Sequence, residues 1–402
     1  MFNLNQFIAD YVVKRHRSMF LDDIEGNLDK LKSKIQGKSL LVIGGAGSIG
    51  SSFIRAILPF KPAALVVVDT NENALAELTR DLRSTKGIFV PEDYLPYPMD
   101  FSSAVFEKMF RARKGFDIVA NFSAHKHVRS EKDIYSIEAL LQNNLLHAKQ
   151  LLDLLSEFPP EEYFCVSTDK AANPVNIMGA SKRLMEDVIF SYSDKFPVKT
   201  ARFANVAFSN GSLPAGFLAR MQKLQPLSAP SDVKRYFVSP EESGQICLLS
   251  CILGKNREIF FPKLKEAQAM TFDSIATNLL KVNGYEVLSC NSDAEAIEKS
   301  EDLKNGSNQY PVYFSASNTS GEKAFEEFFT QNEKTDMGRF KALGVITDKP
   351  LTDRKKVEVL FNNLINAFSA QKPSKTAVVK VIKEYLPNFE HIEMGKSLDS
   401  KM

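Results

Sequence analysis

Short runs of β-branched and aliphatic residues alternate with longer segments whose apolar positions recur at helical spacing. "SLLVIGG", "ALVVVD", "FDIVANFSA" and "EYFCVSTD" have the length and composition of buried strands. Between and after them, "SIGSSFIRAILPF", "ENALAELTRDLRS", "IEALLQNNLLHAKQLLDLLSEF" and the segment following Asn176 carry the helical period. Strands alternating with helices in this way predict an α/β fold, a doubly wound parallel sheet, and the pattern holds to about Ala207.

The flanking segments break that rhythm. Residues 1–38 read as a helical N-terminal arm in two amphipathic pieces, with Leu28, Leu31 and Ile35 on one face, packed on the main domain or on a second subunit. Residues 39–207 form the nucleotide-binding domain. From residue 208 to 334 the chain is richer in Ser, Pro and Gly, which predicts a smaller lobe over the carboxyl ends of the strands, with a possible return to the main sheet. Residues 335–402 are a C-terminal extension of lysine-rich helical pieces with a polar tail.

Composition narrows the function classes. In 402 residues, 51 Lys and Arg balance 49 Asp and Glu, so no bulk charge draws the chain to nucleic acid or an anionic membrane. The four cysteines, Cys165, Cys247, Cys251 and Cys290, show no CxxC pairing and read as small buried hydrophobes. Of five histidines only His125 and His127 lie close together, and no metal site is expected. The first twenty residues are interrupted by Asp10 and by charges from Lys14 to Arg17, unlike a secretory leader. No apolar run reaches the ~18 residues of a spanning helix. The expectation is a cytoplasmic protein with no membrane insertion.

Candidate chemistry begins at "LLVIGGAGSIGSSF". Gly44, Gly47 and Gly50 form a GxxGxxG between a strand and a helix, and Ser48 and Ile49 open that helix. Glycines there let the backbone approach a pyrophosphate resting on the positive end of the helix. Nineteen residues past Gly50 the second strand ends in Asp69, an acid placed to accept hydrogen bonds from ribose hydroxyls and to repel a 2′-phosphate. NAD is therefore favoured, with NADP still open because Arg80 or Arg83 can accommodate a phosphate. Asp100 is a candidate contact for the adenine.

Ligands of an open α/β sheet collect outside the carboxyl ends of its strands. That rule places Ser123, Ala124, Lys126 and His127 near a cofactor, and likewise Ser167, Thr168, Asp169 and Lys170. Lys182, on the next helix, is placed for the nicotinamide ribose, and Met178 shares its face one turn earlier. Consecutive strand residues point to opposite faces, so Asp169 and Lys170 can serve one substrate only if regular strand ends by about Thr168.

The GxxGxxG, "AHKHV", "STDKAANPVNIMGASK", "RFANVAFSNGSLP" and "SGEKAFEE" occur in order over roughly residues 38–330. Together they resemble the extended short-chain dehydrogenase/reductases, a Rossmann fold. More closely, they are similar to the bacterial nucleotide-sugar 4,6-dehydratases that act on UDP-N-acetylglucosamine. The resemblance implies a tightly held NAD, oxidation at sugar C4, elimination of water across C5–C6 and return of the hydride to C6. The product is a 4-keto-6-deoxy sugar nucleotide. Most of that superfamily has Tyr four residues before the Lys, whereas Met178 stands there in this chain, as in a subset of the dehydratases. The base for the C4 hydroxyl must then come from Thr168 relaying to water, or from Asp169. Elimination further needs a base at C5 and an acid at C6, roles the resemblance gives to Lys170 and Asp169. Lys170 can act only when neutral and Asp169 only when protonated, so the two must change state together with the cofactor's charge.

For the substrate the candidates are Lys126, His127, Asn205, Ser212, Arg235 as a diphosphate clamp, and Glu322. With Lys323, Glu322 sits in "SGEK", where many relatives have Pro before the Gly. Relatives commonly pair through two helices per subunit, so a homodimer or larger homo-oligomer is expected. A nucleotide-sugar 4-epimerase and a non-catalytic NAD-binding regulatory protein are the rival functions. The nucleotide base, the exact sugar and the stereochemistry at C5 are not legible.

Overall fold

The computed structural model describes residues 2–317, 325 and 327–393. Strands β1 (Ser39–Ile43), β2 (Ala64–Asp69), β3 (Asp93–Pro98), β4 (Ile118–Asn121), β5 (Glu162–Thr168), β6 (Val198–Phe203), β7 (Glu258–Pro262), β8 (Thr335–Asp336) and β9 (Leu343–Ile346) form one nine-stranded sheet. Its order is β8-β9-β7-β6-β5-β4-β1-β2-β3. From β3 to β7 all neighbours are parallel; β9 and β8 add antiparallel at one edge. Every residue of β4, β6 and β7 is buried, as expected of strands covered by helices on both faces.

The covering helices follow the strands: α1 (Ser48–Ile57), α2 (Glu72–Ser84), α3 (Ala104–Ala112), α4 (Ile134–Leu141) and α5 (Ile177–Phe190). A π-helical turn, Gln142–Leu146, carries α4 on into His147–Leu155. The lobe holds α6 (Leu213–Gln222), a three-stranded parallel sheet of Leu227–Pro230, Glu286–Ser289 and Gln309–Ser315, and α8 (Phe272–Val282). Between α6 and α8 the chain dips back to the large sheet. There α7 (Pro240–Leu253), buried over most of its length, lies beneath it and leads into β7. Two cores result: a large one around the main sheet, and a second around Phe217, Leu227, Ile275, Leu279 and Tyr310.

The N-terminal arm stitches these parts together. The arm breaks into short pieces, Leu4–Phe7, Ile8–Val12, Leu21–Glu25 and Leu28–Ile35, rather than the two expected helices. Phe7, Ile8, Val12 and Val13 join the lobe core, while Phe20, Leu31 and Ile35 join the main core. Arg15 donates to both Glu242 oxygens at 2.5 and 2.6 Å, fixing the arm to α7. At the other end α9 (Arg354–Phe368) and α10 (Lys375–Tyr385) pack on the outer side of α5, burying Val357, Phe361, Leu364 and Ile382 in the main core. Among the described residues no helix is long and apolar enough to cross a membrane.

Candidate active site

In the sheet β1 lies between β4 and β2, so the chain leaves it in opposite directions on its two sides and opens a crevice at the carboxyl ends of β1 and β4. Gly44 closes β1 with φ +69°, and a Cβ there would stand 2.6 Å from the Ser123 backbone nitrogen at the end of β4. A Cβ on Gly50 would stand 2.4 Å from the Gly44 carbonyl oxygen. Only glycine lets the loop fold down on these neighbours. The N-cap of α1 is Gly47, which makes no side-chain hydrogen bond, so the first-turn N–H groups from Ser48 to Gly50 face the crevice mouth without a capping side chain. Asp69 ends β2 and accepts from the Ala46 N–H at 3.1 Å and the Asn71 N–H at 3.0 Å, which brings its carboxylate against the glycine loop. These features fit a dinucleotide. Asp100 is exposed and accepts from the N–H and hydroxyl of Ser102, holding its own turn.

Beyond β4, Ser123 and Ala124 are half-buried and the loop is pinned by Asn144. Its side chain accepts from the His125 N–H and donates to the His125 carbonyl, both at 2.9 Å, and donates to Ser181 Oγ at 3.0 Å. Asn144 can face inward because it lies in the π turn that interrupts α4, a device common at functional sites. Lys126 then reaches across the crevice to the Asn210 carbonyl at 2.8 Å, and the Asn210 N–H donates to Ser48 Oγ at 2.9 Å. His127 lies against Gly211. Lys126 and His127 stay solvent-accessible, yet the protein mass around the crevice pulls both below their ordinary pKa.

Regular strand in β5 stops at Thr168, and Asp169–Ala171 is a single 3₁₀ turn. The turn frees Asp169 and Lys170 from alternating sides. Asp169 is 4% exposed. Its Oδ1 accepts from Thr168 Oγ1 at 2.8 Å, from Lys170 Nζ at 3.0 Å and from the Lys170 N–H at 2.9 Å. Hydroxyl, carboxylate and amine thus form one connected chain. Met178 is buried, and its N–H donates to Glu131 Oε1 at 2.9 Å. Lys182 Nζ points back at the Val166 carbonyl, 3.1 Å away, and burial pulls its ammonium down to about 8.

Behind the turn is a charge network with no local sequence signal. Ser167 Oγ donates to Glu186 at 2.7 Å, and Arg202 forks onto both Glu186 oxygens at 2.9 and 2.8 Å. The other side of that guanidinium holds Glu333 at 2.7 and 2.9 Å, which Lys349 also contacts. Arg202 and Glu186 are wholly buried. Burial pushes the Glu186 carboxyl up, but Arg202 outweighs it and the net shift is downward; Glu333 is held at about 2 by the same guanidinium against its own burial.

The remaining candidates scatter around the lobe. Asn205 opens a two-residue strand beside Phe237, its N–H on the Tyr236 carbonyl at 3.0 Å. Ser212 caps α6, accepting from the Ala215 N–H at 3.3 Å. Arg235 is buried in a short strand paired with Met270 and donates to the Lys234 carbonyl at 3.0 Å. Glu322 and Lys323 lie outside the described residues. A cleft of about 1110 Å³ between the arm, α1 and the start of α7 borders the glycine loop through Ala46 and Ser48 but does not reach Thr168–Lys170. Among the described residues no group of His, Cys, Asp and Glu is arranged to hold a metal.

Residues 40–347 match the model of a family described as polysaccharide biosynthesis protein. The chain is 27% identical to the probable polysaccharide biosynthesis protein EpsC of Bacillus subtilis, over 76% of this chain and 47% of that one. It is 27% identical to the capsular polysaccharide biosynthesis protein CapD of Staphylococcus aureus, over 89% and 55%. The chain thus spans about half the length of these curated relatives. A Campylobacter jejuni protein named UDP-N-acetylglucosamine 4,6-dehydratase (inverting) is 26% identical over 57% of this chain and 67% of its own. Among solved structures, Pen from Bacillus thuringiensis superposes with a TM-score of 0.63 at 18% identity, over 82% of this chain and 98% of that one. DesIV of Streptomyces venezuelae, a dTDP-glucose 4,6-dehydratase solved with NAD bound, gives 0.53 at 20%, over 73% and 87%. With the family match covering most of its length, the chain belongs to the polysaccharide biosynthesis protein family, built on the extended short-chain dehydrogenase/reductase fold.

Proposed function

We propose that the protein is a nucleotide-sugar 4,6-dehydratase acting on a UDP-N-acetylhexosamine, UDP-N-acetylglucosamine first. The observation that carries this reading is the connected chain Thr168 Oγ1, Asp169 Oδ1 and Lys170 Nζ on a turn at the carboxyl edge of the sheet. The Campylobacter relatives' names support it. The Gly44–Gly50 loop and Asp69 would hold NAD, which when bound would supply an acceptor for the hydride of sugar C4 and a donor for its return to C6.

The chain's own residues move the protons. Thr168 takes the C4 hydroxyl proton as it passes its own to Asp169 along their 2.8 Å hydrogen bond. Asp169 is thereby protonated when its acid form is needed, and delivers that proton to the C6 hydroxyl as it leaves as water. Lys170, which can act only in its neutral form, removes the C5 proton now acidified by the neighbouring ketone and returns a proton to C5 once C6 is reduced. Protons balance: one from the C4 hydroxyl departs in water, and Lys170 takes one from C5 and later gives one back, exchanging with solvent in between. Met178 moves none of them, which is why a thioether is tolerated where relatives have a phenol. Lys182 acts as a positive charge beside the ribose. Lys126, His127 and Asn205 are the candidate substrate contacts, with Arg235 as the diphosphate clamp.

Incubation with UDP-N-acetylglucosamine and NAD tests the reading by mass spectrometry. The expected product is lighter than substrate by one water. A product of unchanged mass, a 4-epimer, would replace dehydration with epimerisation.

A further inference from the structure

Residues 386–393 of the C-terminal extension lie against the turn that carries Met178. After α10, the Ile392 N–H donates to the Val175 carbonyl at 2.9 Å, and Phe389 is buried beside the His391 ring. His391 Nε2 lies 3.3 Å from Glu131 Oε2, and both side chains are nine-tenths buried. The other oxygen of Glu131 accepts the Met178 N–H at 2.9 Å. Lys375 adds a hydrogen bond to the Glu131 carbonyl at 3.4 Å and an ion pair to Glu393. One carboxylate therefore spans two parts of the chain that are far apart in sequence: its Oε1 sits on the first turn of α5, and its Oε2 on residues 386–393.

We propose that residues 386–393 are a built-in strap that positions the Met178 turn, with Glu131 and His391 as the positioning residues through which it acts. The N-cap of α5, Asn176, accepts from the Gly179 N–H at 2.7 Å, and the Met178 N–H goes to Glu131 instead. Without Glu131 the Met178 N–H loses its acceptor in a buried place, and the turn loses a charged anchor. The turn also sets Lys170, since a Cβ on Gly179 would stand 2.7 Å from the Lys170 carbonyl oxygen. A loosened strap therefore shifts the amine that works at C5. A small displacement of a reacting group slows chemistry more than it weakens binding. The catalytic part of this inference rests on the dehydratase reading; the strap itself does not.

The test uses the full chain with NAD. In His391→Ala, amide exchange read by mass spectrometry is expected to rise about tenfold in peptides covering 174–182 and 386–393, with β1 and β4 unchanged. kcat on UDP-N-acetylglucosamine falls about tenfold with KM within about twofold, and His391→Gln, which keeps a donor toward Glu131, recovers most of it. In Glu131→Gln an acceptor for the Met178 N–H survives, so exchange rises at 386–393 more than at 174–182, which keeps the test alive if His391→Ala fails to fold. Unchanged exchange at 174–182 in His391→Ala, or equal loss of kcat in the Ala and Gln variants, overturns the strap. Raised exchange in a protein with no turnover on any nucleotide sugar would keep the strap and remove the dehydratase.

Discussion

Asp169→Asn is expected to lower kcat by about 10³-fold while leaving the affinity for UDP-N-acetylglucosamine within about threefold, because a positioned acid–base group supplies 10²–10⁴ in rate and little binding. The amide keeps an oxygen for the three donors now on Oδ1, from Thr168 Oγ1, Lys170 Nζ and the Lys170 N–H. The turn should therefore persist, and the melting temperature should move little. What is lost is the ability to receive the Thr168 proton and hand it to the departing C6 hydroxyl. Steady-state kinetics beside isothermal titration separate the two effects. A residual rate above about a tenth of wild type would mean that no acid at C6 is needed, as for an epimerase.

Arg202→Met is expected to cost about 3–5 kcal/mol in chemical denaturation, the usual penalty for removing one partner of a buried ion pair. The guanidinium lies wholly buried between Glu186 and Glu333, and Met leaves two carboxylates facing each other across its place. The deficit should depend on pH in a defined direction. In the wild type the folded pKa of both acids lies below the unfolded value, so their stabilisation is present above about 4.5 and fades as pH falls toward about 2. In the variant, burial, the largest influence on Glu186, is opposed only by Arg183 and Ser167, so the folded pKa rises and the acid destabilises most at neutral pH. The gap between variant and wild type should therefore narrow from pH 7 to pH 4. A gap that widened toward acid would contradict the assignment of Arg202 as the group that holds these carboxylates charged. Through Ser167, which donates to Glu186 directly before Thr168 and Asp169, the same network fixes the strand end on which the proposed chemistry depends.

Much of this was legible in sequence because it is local. Strands β1, β2, β4 and β5 with helices α1, α2, α4 and α5 are each one period of apolar alternation. The glycine loop and the acid at the end of β2 sit at fixed offsets within one strand–helix–strand unit. The end of regular strand at Thr168 was a condition set by Asp169 and Lys170 sharing one substrate, and the 3₁₀ turn meets it. What sequence could not supply is long-range. The antiparallel edge β9–β8 arrives about 75 residues after β7, and nothing in "LGVI" says which neighbour it takes. Glu131 meets His391 across 260 residues, and Arg202 meets Glu333 across 131. Asn144 faces inward only because a π turn shifts the helical period, so a regular helical wheel does not place it. The arm defeats periodicity for a related reason. Its apolar residues serve two cores in succession, and the chain must bend between Val13 and Phe20 to reach both. Burying the outer side of α5 under α9 likewise depends on a segment some 170 residues downstream.

The central claim is tested most directly by carrying out the reaction with UDP-N-acetylglucosamine in deuterated water and reading the product by NMR. With Lys170 exchanging its proton with solvent between removal and return, the product is predicted to be the 4-keto-6-deoxy sugar nucleotide carrying solvent deuterium at C5, and Lys170→Met to form none of it. A 6-deoxy product with undiluted hydrogen at C5, or full turnover by Lys170→Met, would contradict the account.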